Sequence, residues 1–214
     1  MPPLLIATQN PGKVAEILSL LEESGLHLEL VTPAQLGLKL DVVEDGQTYA
    51  ENAARKALAF CKTSGLVSLA DDSGLEVDAL GGQPGLHSAR FSPPLGAEPW
   101  QTPPPGGDAQ RRAWLLHNLR PFPRPWTACF RCTVALAHPD GRLEFAEGRC
   151  PGEIIPEERG ANGFGYDPIF LLPELGLTMA ELSMAQKNRL SHRARAVQAA
   201  APVLRAWSGA GKAG

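Results

Sequence analysis

Pro3-Leu4-Leu5-Ile6-Ala7-Thr8 is a short apolar run that Gln9-Asn10-Pro11-Gly12 interrupts. Lys13 then opens a stretch in which Val14, Ile17, Leu18 and Leu21 recur at helical spacing. An apolar run of this length suits a buried strand, and the repeat that follows suits a helix with one buried face. A strand that turns through Pro-Gly into a helix is the building unit of an α/β fold. Working outward, 27–31 reads as a second strand. Thr48 and Glu51 have the spacing of a capping box and open an Ala-rich helix to about residue 61. Residues 66–70 read as a third strand, expected to stop at Asp71-Asp72-Ser73-Gly74. Farther along, 108–118 reads as a helix. Residues 127–137 and 142–147 read as a β-hairpin closed by His138-Pro139-Asp140-Gly141. From about 184 to 207 the pattern is helical, with a break near Ser191. Alternating strands and helices plus a hairpin predict a mixed sheet rather than a purely parallel one.

The 214 residues include 22 glycines and 20 prolines, about a fifth of the chain against roughly 12% in an average protein. That density excludes a long coiled coil, and 43% hydrophobic residues exclude a disordered chain. Nine prolines fall between 93 and 125, so 93–107 is expected to be a stiff surface segment. Net charge is −3, without the basic excess by which duplex nucleic acid or anionic membrane surfaces are bound. Met1-Pro2-Pro3 supplies no basic start for a signal peptide, and no run approaches the ~18 apolar residues of a membrane span. The expected compartment is the cytoplasm, and neither a nucleic-acid nor a membrane partner is expected. Cys129-Phe130-Arg131-Cys132 has C-x-x-C spacing, but it lies in an expected strand, where residues three apart face opposite ways. No second pair completes a metal site, so buried reduced thiols are the expected state.

Four stretches carry groups suited to chemistry. Thr8-Gln9-Asn10-Pro11-Gly12-Lys13 puts donors at a helix N-terminus, where a phosphate is favoured, although an ordinary turn with a solvated lysine accounts for it equally well. In Asp71-Asp72-Ser73-Gly74 the adjacent carboxylates should point opposite ways, one to a site and one to brace the turn. Mg²⁺ needs only one or two carboxylates, and Glu44, on a neighbouring loop, is a candidate second ligand beside whichever aspartate faces the site. An Asx-capped turn is the plainer alternative. Gly160-Ala161-Asn162-Gly163-Phe164-Gly165-Tyr166-Asp167 offers aromatics on a glycine-cleared backbone, suited either to a planar base or to packing on the core. Lys187-Asn188-Arg189-Leu190-Ser191-His192-Arg193-Ala194-Arg195 is the densest basic run, four cations and a histidine, for which a solvated helix face is the plainer reading. If Ser191 caps a new helix, His192 and Arg193 sit beside its positive dipole end, which asks for an anion.

Taken together, these blocks resemble the Ham1-like family of noncanonical purine nucleoside triphosphate pyrophosphatases. The resemblance covers residues 7 to about 196. Its carriers are Ala7 to Lys13, Thr48 to Ala57 (TYAENAARKA), Ala70 to Ser92 (ADDSGLEVDALGGQPGLHSARFS), Gly163 to Phe170 (GFGYDPIF) and Met179 to Ala194 (MAELSMAQKNRLSHRA). It implies a single ITPase-like α/β domain over 1–214, with an elongated mixed sheet flanked by helices and two lobes about a central cleft. It also implies a homodimer, Mg²⁺ dependence, and hydrolysis of dITP, ITP or XTP between the α and β phosphates. Residue by residue, it implies that Thr8, Gln9, Asn10, Pro11, Gly12, Lys13 and Lys56 hold the triphosphate. Glu44 and Asp72 would bind Mg²⁺, with Asp72 the catalytic base and Ser73 touching substrate. Phe164, Gly165, Tyr166, Asp167, Lys187, His192 and Arg193 would enclose base and sugar, Arg193 being the obvious donor to a 6-keto oxygen. Gln9 stands where many members have glycine. Two other readings compete: a regulatory protein that binds nucleotide without cleaving it, and a nucleic-acid module using the run near Lys187, which the net charge disfavours.

Overall fold

The computed structural model describes residues 3–94, 96, 99 and 106–207. Most of the Pro-rich segment expected over 93–107 lies outside the described residues. The strands are β1 (Leu4–Ile6), β2 (Leu30–Val31), β3 (Val67–Val77), β4 (Trp126–Ala137), β5 (Leu143–Ile154), β6 (Phe170–Leu172) and β7 (Leu177–Thr178). They form one sheet in the order β2-β1-β3-β4-β5-β6-β7. β1 runs parallel to β2 and β3, while β6 is antiparallel to β5 and β7, which makes the sheet mixed as expected. The helices are α1 (Pro11–Glu23), α2 (Tyr49–Ser64), α3 (Asp108–Leu119), α4 (Met184–Leu190) and α5 (His192–Trp207).

The chain divides into two compact units: Met1–Ser73 with Cys132–Arg149 and Asn188–Gly214, and Gly74–Arg131 with Cys150–Lys187. In the first, the period-two alternation of the strands sorts side chains into two cores. Leu4 and Ile6 of β1, Leu69 of β3 and Val134 and Leu136 of β4 pack with Ile17, Leu20 and Leu21 of α1 and Val197, Ala200 and Leu204 of α5. The residues between them, Leu5, Ala7, Ala70, Ala135 and Ala137, pack with Ala53, Ala57 and Phe60 of α2. Gly148 shows how closely α5 approaches: a Cβ there would lie 2.0 Å from the His192 carbonyl oxygen. In the second unit the rings of Phe130 and Phe170 stand 4.4 Å apart, with Leu75, Val77, Leu115, Leu119 and Ile169 fully buried.

Several local expectations change. β3 does not stop at Asp71; it continues to Val77, because the two carboxylates find lateral partners and need no turn to reach them. The expected second strand over 27–31 contracts to Leu30–Val31. Thr48 caps α2 by accepting from the Glu51 N–H, but the Glu51 carboxylate reaches one residue farther back, to the Gln47 N–H at 2.8 Å. Ser191 does separate α4 from α5, its hydroxyl accepting from the Ala194 N–H at 3.1 Å.

Candidate functional site

β3 carries Asp71 and Asp72 to opposite faces, and each gathers its own cluster within the first unit. Asp71 is 1% exposed. Its Oδ2 lies 3.0 Å from Lys13 Nζ and accepts from Nε and Nη2 of Arg193 at 3.2 and 3.1 Å. Arg193, itself 2% exposed, also donates to the Glu16 carboxylate and to Ser73 Oγ at 3.0 Å. Glu16 follows Lys13 by three residues on α1, so both lie on one helix face. Burial alone would raise the Asp71 carboxyl, but Lys13, Arg193 and Lys56 outweigh it and hold the group well below the usual carboxylate range. Burial disfavours the charge on Arg193 too, and Asp71 and Glu16 more than offset it. This cluster braces β3 against α1 and α5, with Asp71, Arg193 and Glu16 buried and Lys13 at its edge.

Asp72 faces α2. Its Oδ2 accepts from Asn52 Nδ2 at 3.0 Å, and its Oδ1 lies 3.7 Å from Lys56 Nζ. The same ammonium donates to Glu44 Oε2 at 2.7 Å. Asn52 and Lys56 are one helical turn apart, and Thr48 fixes where that helix starts, so both side chains meet the loop that carries Glu44. The Asn52 carbonyl oxygen accepts from the Gly46 N–H at 2.8 Å, which ties that loop to Asp72 through a single carboxamide. A Cβ on Gly46 would sit 2.7 Å from that oxygen. Burial pushes the Asp72 carboxyl up, with Lys56, Lys13 and the Asn52 hydrogen bond opposing and Glu44 adding to it. Burial lowers Lys56, but the pull of Asp71, Asp72 and Glu44 wins, and its ammonium is raised above the ordinary lysine value. Glu44 and Asp72 thus converge on one ammonium, that of Lys56.

The turn before α1 is organised by its own side chains. Asn10 Oδ1 accepts from the N–H groups of Gly12 and Lys13 at 2.9 and 3.2 Å, and Thr8 Oγ1 accepts from the Asn10 N–H at 3.2 Å. Pro11 has no N–H to offer. Side-chain donors toward a ligand therefore include the Thr8 hydroxyl, the Asn10 carboxamide nitrogen and the Lys13 ammonium, which carries three N–H groups, while the Gly12 and Lys13 amides are engaged by Asn10. Gln9 turns away from this turn and donates to the Leu40 carbonyl at 2.9 Å.

In the second unit, Gly163–Asp167 closes on itself. Asp167 Oδ2 accepts from the Phe164 N–H at 3.1 Å and from Lys187 Nζ at 2.8 Å. Gly163, at φ +76°, leaves that carboxylate its place, since a Cβ would come within 2.0 Å of Oδ2. Tyr166 is 4% exposed and donates to the Ser88 carbonyl at 2.9 Å, so it anchors the loop. Phe164 is half-buried, with the Lys187 ammonium 5.8 Å from its ring centroid.

The structure therefore joins Lys13, Ser73 and Arg193 in one cluster and Glu44, Lys56 and Asp72 in another, and it groups Phe164 to Asp167 with Lys187 in a third. Arg193 also takes a place that the motifs alone do not give it: it is the buried counter-ion of Asp71 and Glu16. His192 is buried beside it in the first turn of α5. Gln9 and Tyr166 likewise serve as anchors. The motifs single out neither Asn52 nor Glu16. Their signals were present, since Asn52 precedes Lys56 by four residues and Glu16 sits beside Ile17 on the apolar stripe of α1. Among the described residues, no three His, Cys, Asp or Glu side chains group as a metal site, and no helix is long and apolar enough to cross a membrane. Cys61, Cys132 and Cys150 are buried thiols and Cys129 is half-buried.

The sequence model of the Ham1 family matches residues 4–203. The dITP/XTP pyrophosphatase of Desulforamulus reducens is 45% identical over 202 residues, 94% of each chain. That of Geobacter sulfurreducens is 43% identical over 195 residues, 91% of this chain and 92% of the other. Among solved structures, a HAM1 protein from Coxiella burnetii superposes with a TM-score of 0.81 at 35% identity, covering 96% of this chain and 100% of that one. A nucleoside-triphosphatase/dITP/XTP pyrophosphatase from Mycobacterium abscessus superposes with a TM-score of 0.69 at 41% identity, covering 95% and 100%.

Proposed function

Since the chain belongs to the Ham1 family, we propose that it hydrolyses dITP, ITP and XTP between the α and β phosphates, releasing a nucleoside monophosphate and pyrophosphate. The observation that carries this reading is the convergence of Glu44 and Asp72 on the Lys56 ammonium, with Asn52 locking Asp72 in place. A triphosphate brings roughly four negative charges at neutral pH, which need several cations in a partly dry site. Lys13 and Lys56 supply two. Thr8, Asn10, Pro11 and Gly12 shape the turn the phosphates meet.

Mg²⁺ is the metal that this donor set fits, with Glu44 and Asp72 holding it and water completing its shell. When bound, it would offset phosphate charge and make a bound water more acidic. The Asp72 carboxylate is positioned by two fixed hydrogen bonds, from Asn52 Nδ2 and from the Ser73 N–H at 3.0 Å. A carboxylate so held can accept the proton of the attacking water at the α-phosphorus. Asp71 stays ionised on the far face of β3, where its negative charge holds Lys13 and Arg193 against the strand. Phe164, Gly165 and Lys187 are assigned to base and sugar, with Asp167 and Tyr166 shaping that loop from behind.

We also assign a homodimer, the cytoplasm, and 1–214 as one ITPase-like domain of two lobes. A mass about twice 22.8 kDa in light scattering checks the dimer. The deciding assay incubates the protein with Mg²⁺ and dITP and resolves the products. dIMP with pyrophosphate supports the reading, and dIDP with orthophosphate refutes the bond assigned. Saturable dITP binding without turnover would favour the regulatory alternative.

A further inference from the structure

We propose that Asp108 and Arg112, one turn apart at the start of α3, are positioning residues that clamp both peptide groups of Gly165 and thereby set where the Phe164 ring meets a purine. The inference rests on the assignment of Phe164 to the base. Asp108 Oδ2 accepts from the Gly165 N–H at 2.7 Å. Arg112 Nη1 donates to the Gly165 carbonyl at 2.9 Å. The rest of the Arg112 guanidinium is held by Glu158, with Nε to Oε1 at 2.9 Å and Nη2 to Oε2 at 2.8 Å. Two parallel bonds of this kind fix the plane of a guanidinium as well as its position. Asp108 is in turn paired with Arg111.

The consequence for the loop is geometric. Gly165 sits at φ +63°, a conformation glycine visits readily and leaves readily. A glycine flanked by two aromatics would by itself be the softest hinge in the loop. The clamp removes that freedom by holding the N–H and the C=O on either side of the Gly165 Cα. The Asp167 N–H adds a bond to the Phe164 carbonyl at 3.2 Å, and Tyr166 is pinned through its hydroxyl. The backbone on both sides of Phe164 is thus fixed before any ligand arrives, so the loop need not be ordered on binding. Neither Asp108 nor Arg112 belongs to the metal-type or phosphate-type clusters.

The test uses Asp108→Ala, Arg112→Ala and the conservative Asp108→Asn, whose carboxamide oxygen can still accept from Gly165. Two readouts are taken. One is the rate of limited chymotrypsin cleavage after Phe164 in the native protein, which needs no substrate. The other is the steady-state kinetics of dITP hydrolysis. Both alanine variants should be cut faster. Their KM for dITP should rise by roughly 5–150-fold, the range of one base–aromatic stack, with kcat changed less than about threefold, the pattern of lost binding rather than lost chemistry. Asp108→Asn should stay near wild type in both readouts. Unchanged cleavage, or faster cleavage with an unchanged KM, overturns the proposal. Equal loss of kcat in all three variants also overturns it, since a general structural defect would do that. Should Arg112→Ala fail to fold, Arg112→Lys takes its place. Wild-type protein that does not turn over dITP refutes the substrate reading and with it the purine role of the clamp, a failure distinct from that of the variants.

Discussion

Replacing Asp71 by Asn tests whether the buried brace is as tightly coupled as its geometry requires. The side chain is fully shielded from solvent and lies 3.0 Å from Lys13 and 3.1 Å from Arg193. The substitution keeps shape and removes charge, leaving Arg193 buried with Glu16 as its remaining carboxylate partner in the cluster. Removing one partner of a buried ion pair costs about 3–5 kcal/mol, and here the one remaining carboxylate cannot offset both Arg193 and Lys13. In a chain of this size each kcal/mol lowers the melting temperature by about 2–4 °C, so Asp71→Asn should melt about 6–20 °C below wild type at pH 7. The sign with pH follows from the depressed folded-state value. The stabilisation by ionised Asp71 is complete above the unfolded-state value near 3.9 and is lost only as pH falls through the lower folded-state value. The gap between wild type and variant should therefore be constant from pH 7 to 5 and narrow only in stronger acid. Combining Asp71→Asn with Arg193→Met removes both charges and should cost less than the sum of the single changes. Calorimetry on the four proteins checks this. A loss within about 2 °C for Asp71→Asn, or strict additivity in the pair, would refute the coupling.

Asp72→Asn should lower kcat for dITP by about 10²–10⁴-fold, the scale of a general base, with little change in melting temperature; near-normal turnover would remove Asp72 from the chemistry. Thr48→Ala deletes the cap of α2 and should cost about 1 kcal/mol in denaturant melts. Asp140 is hydrogen-bonded by Arg142, and its carboxyl is lowered to about 2, so NMR titration should find it ionised through pH 4, with Arg142→Ala moving it up. A thiol reagent should label Cys129 first, since burial and the Asp71 charge raise the Cys132 thiol far above the ordinary range.

The local order of the chain could be read from its residues because local rules govern it. The strand–turn–helix start, the Thr48 cap, the Ser191 break and the opposite facing of Asp71 and Asp72 all follow from periodicity, capping and the pleat, which act within a few positions. The resemblance implies Glu44 and Asp72 as a pair, and both lie against the Lys56 ammonium. Partnership across the chain was another matter. The identity of the group that neutralises Arg193 depends on α1 and β3 meeting α5, a separation of 122 residues between Arg193 and Asp71 and 177 between Arg193 and Glu16. Asn52 shows the same limit: its face on α2 was legible, but its grip on both Asp72 and Gly46 arises only once β3 lies beside that helix. Sequence by itself thus determined most of the helices and strands and the residue types they carry, though not the short strands β6 and β7. Tertiary structure decided which charges become each other's counter-ions, since a buried ion's state is set by whatever lies within a few ångströms of it, however distant in the chain.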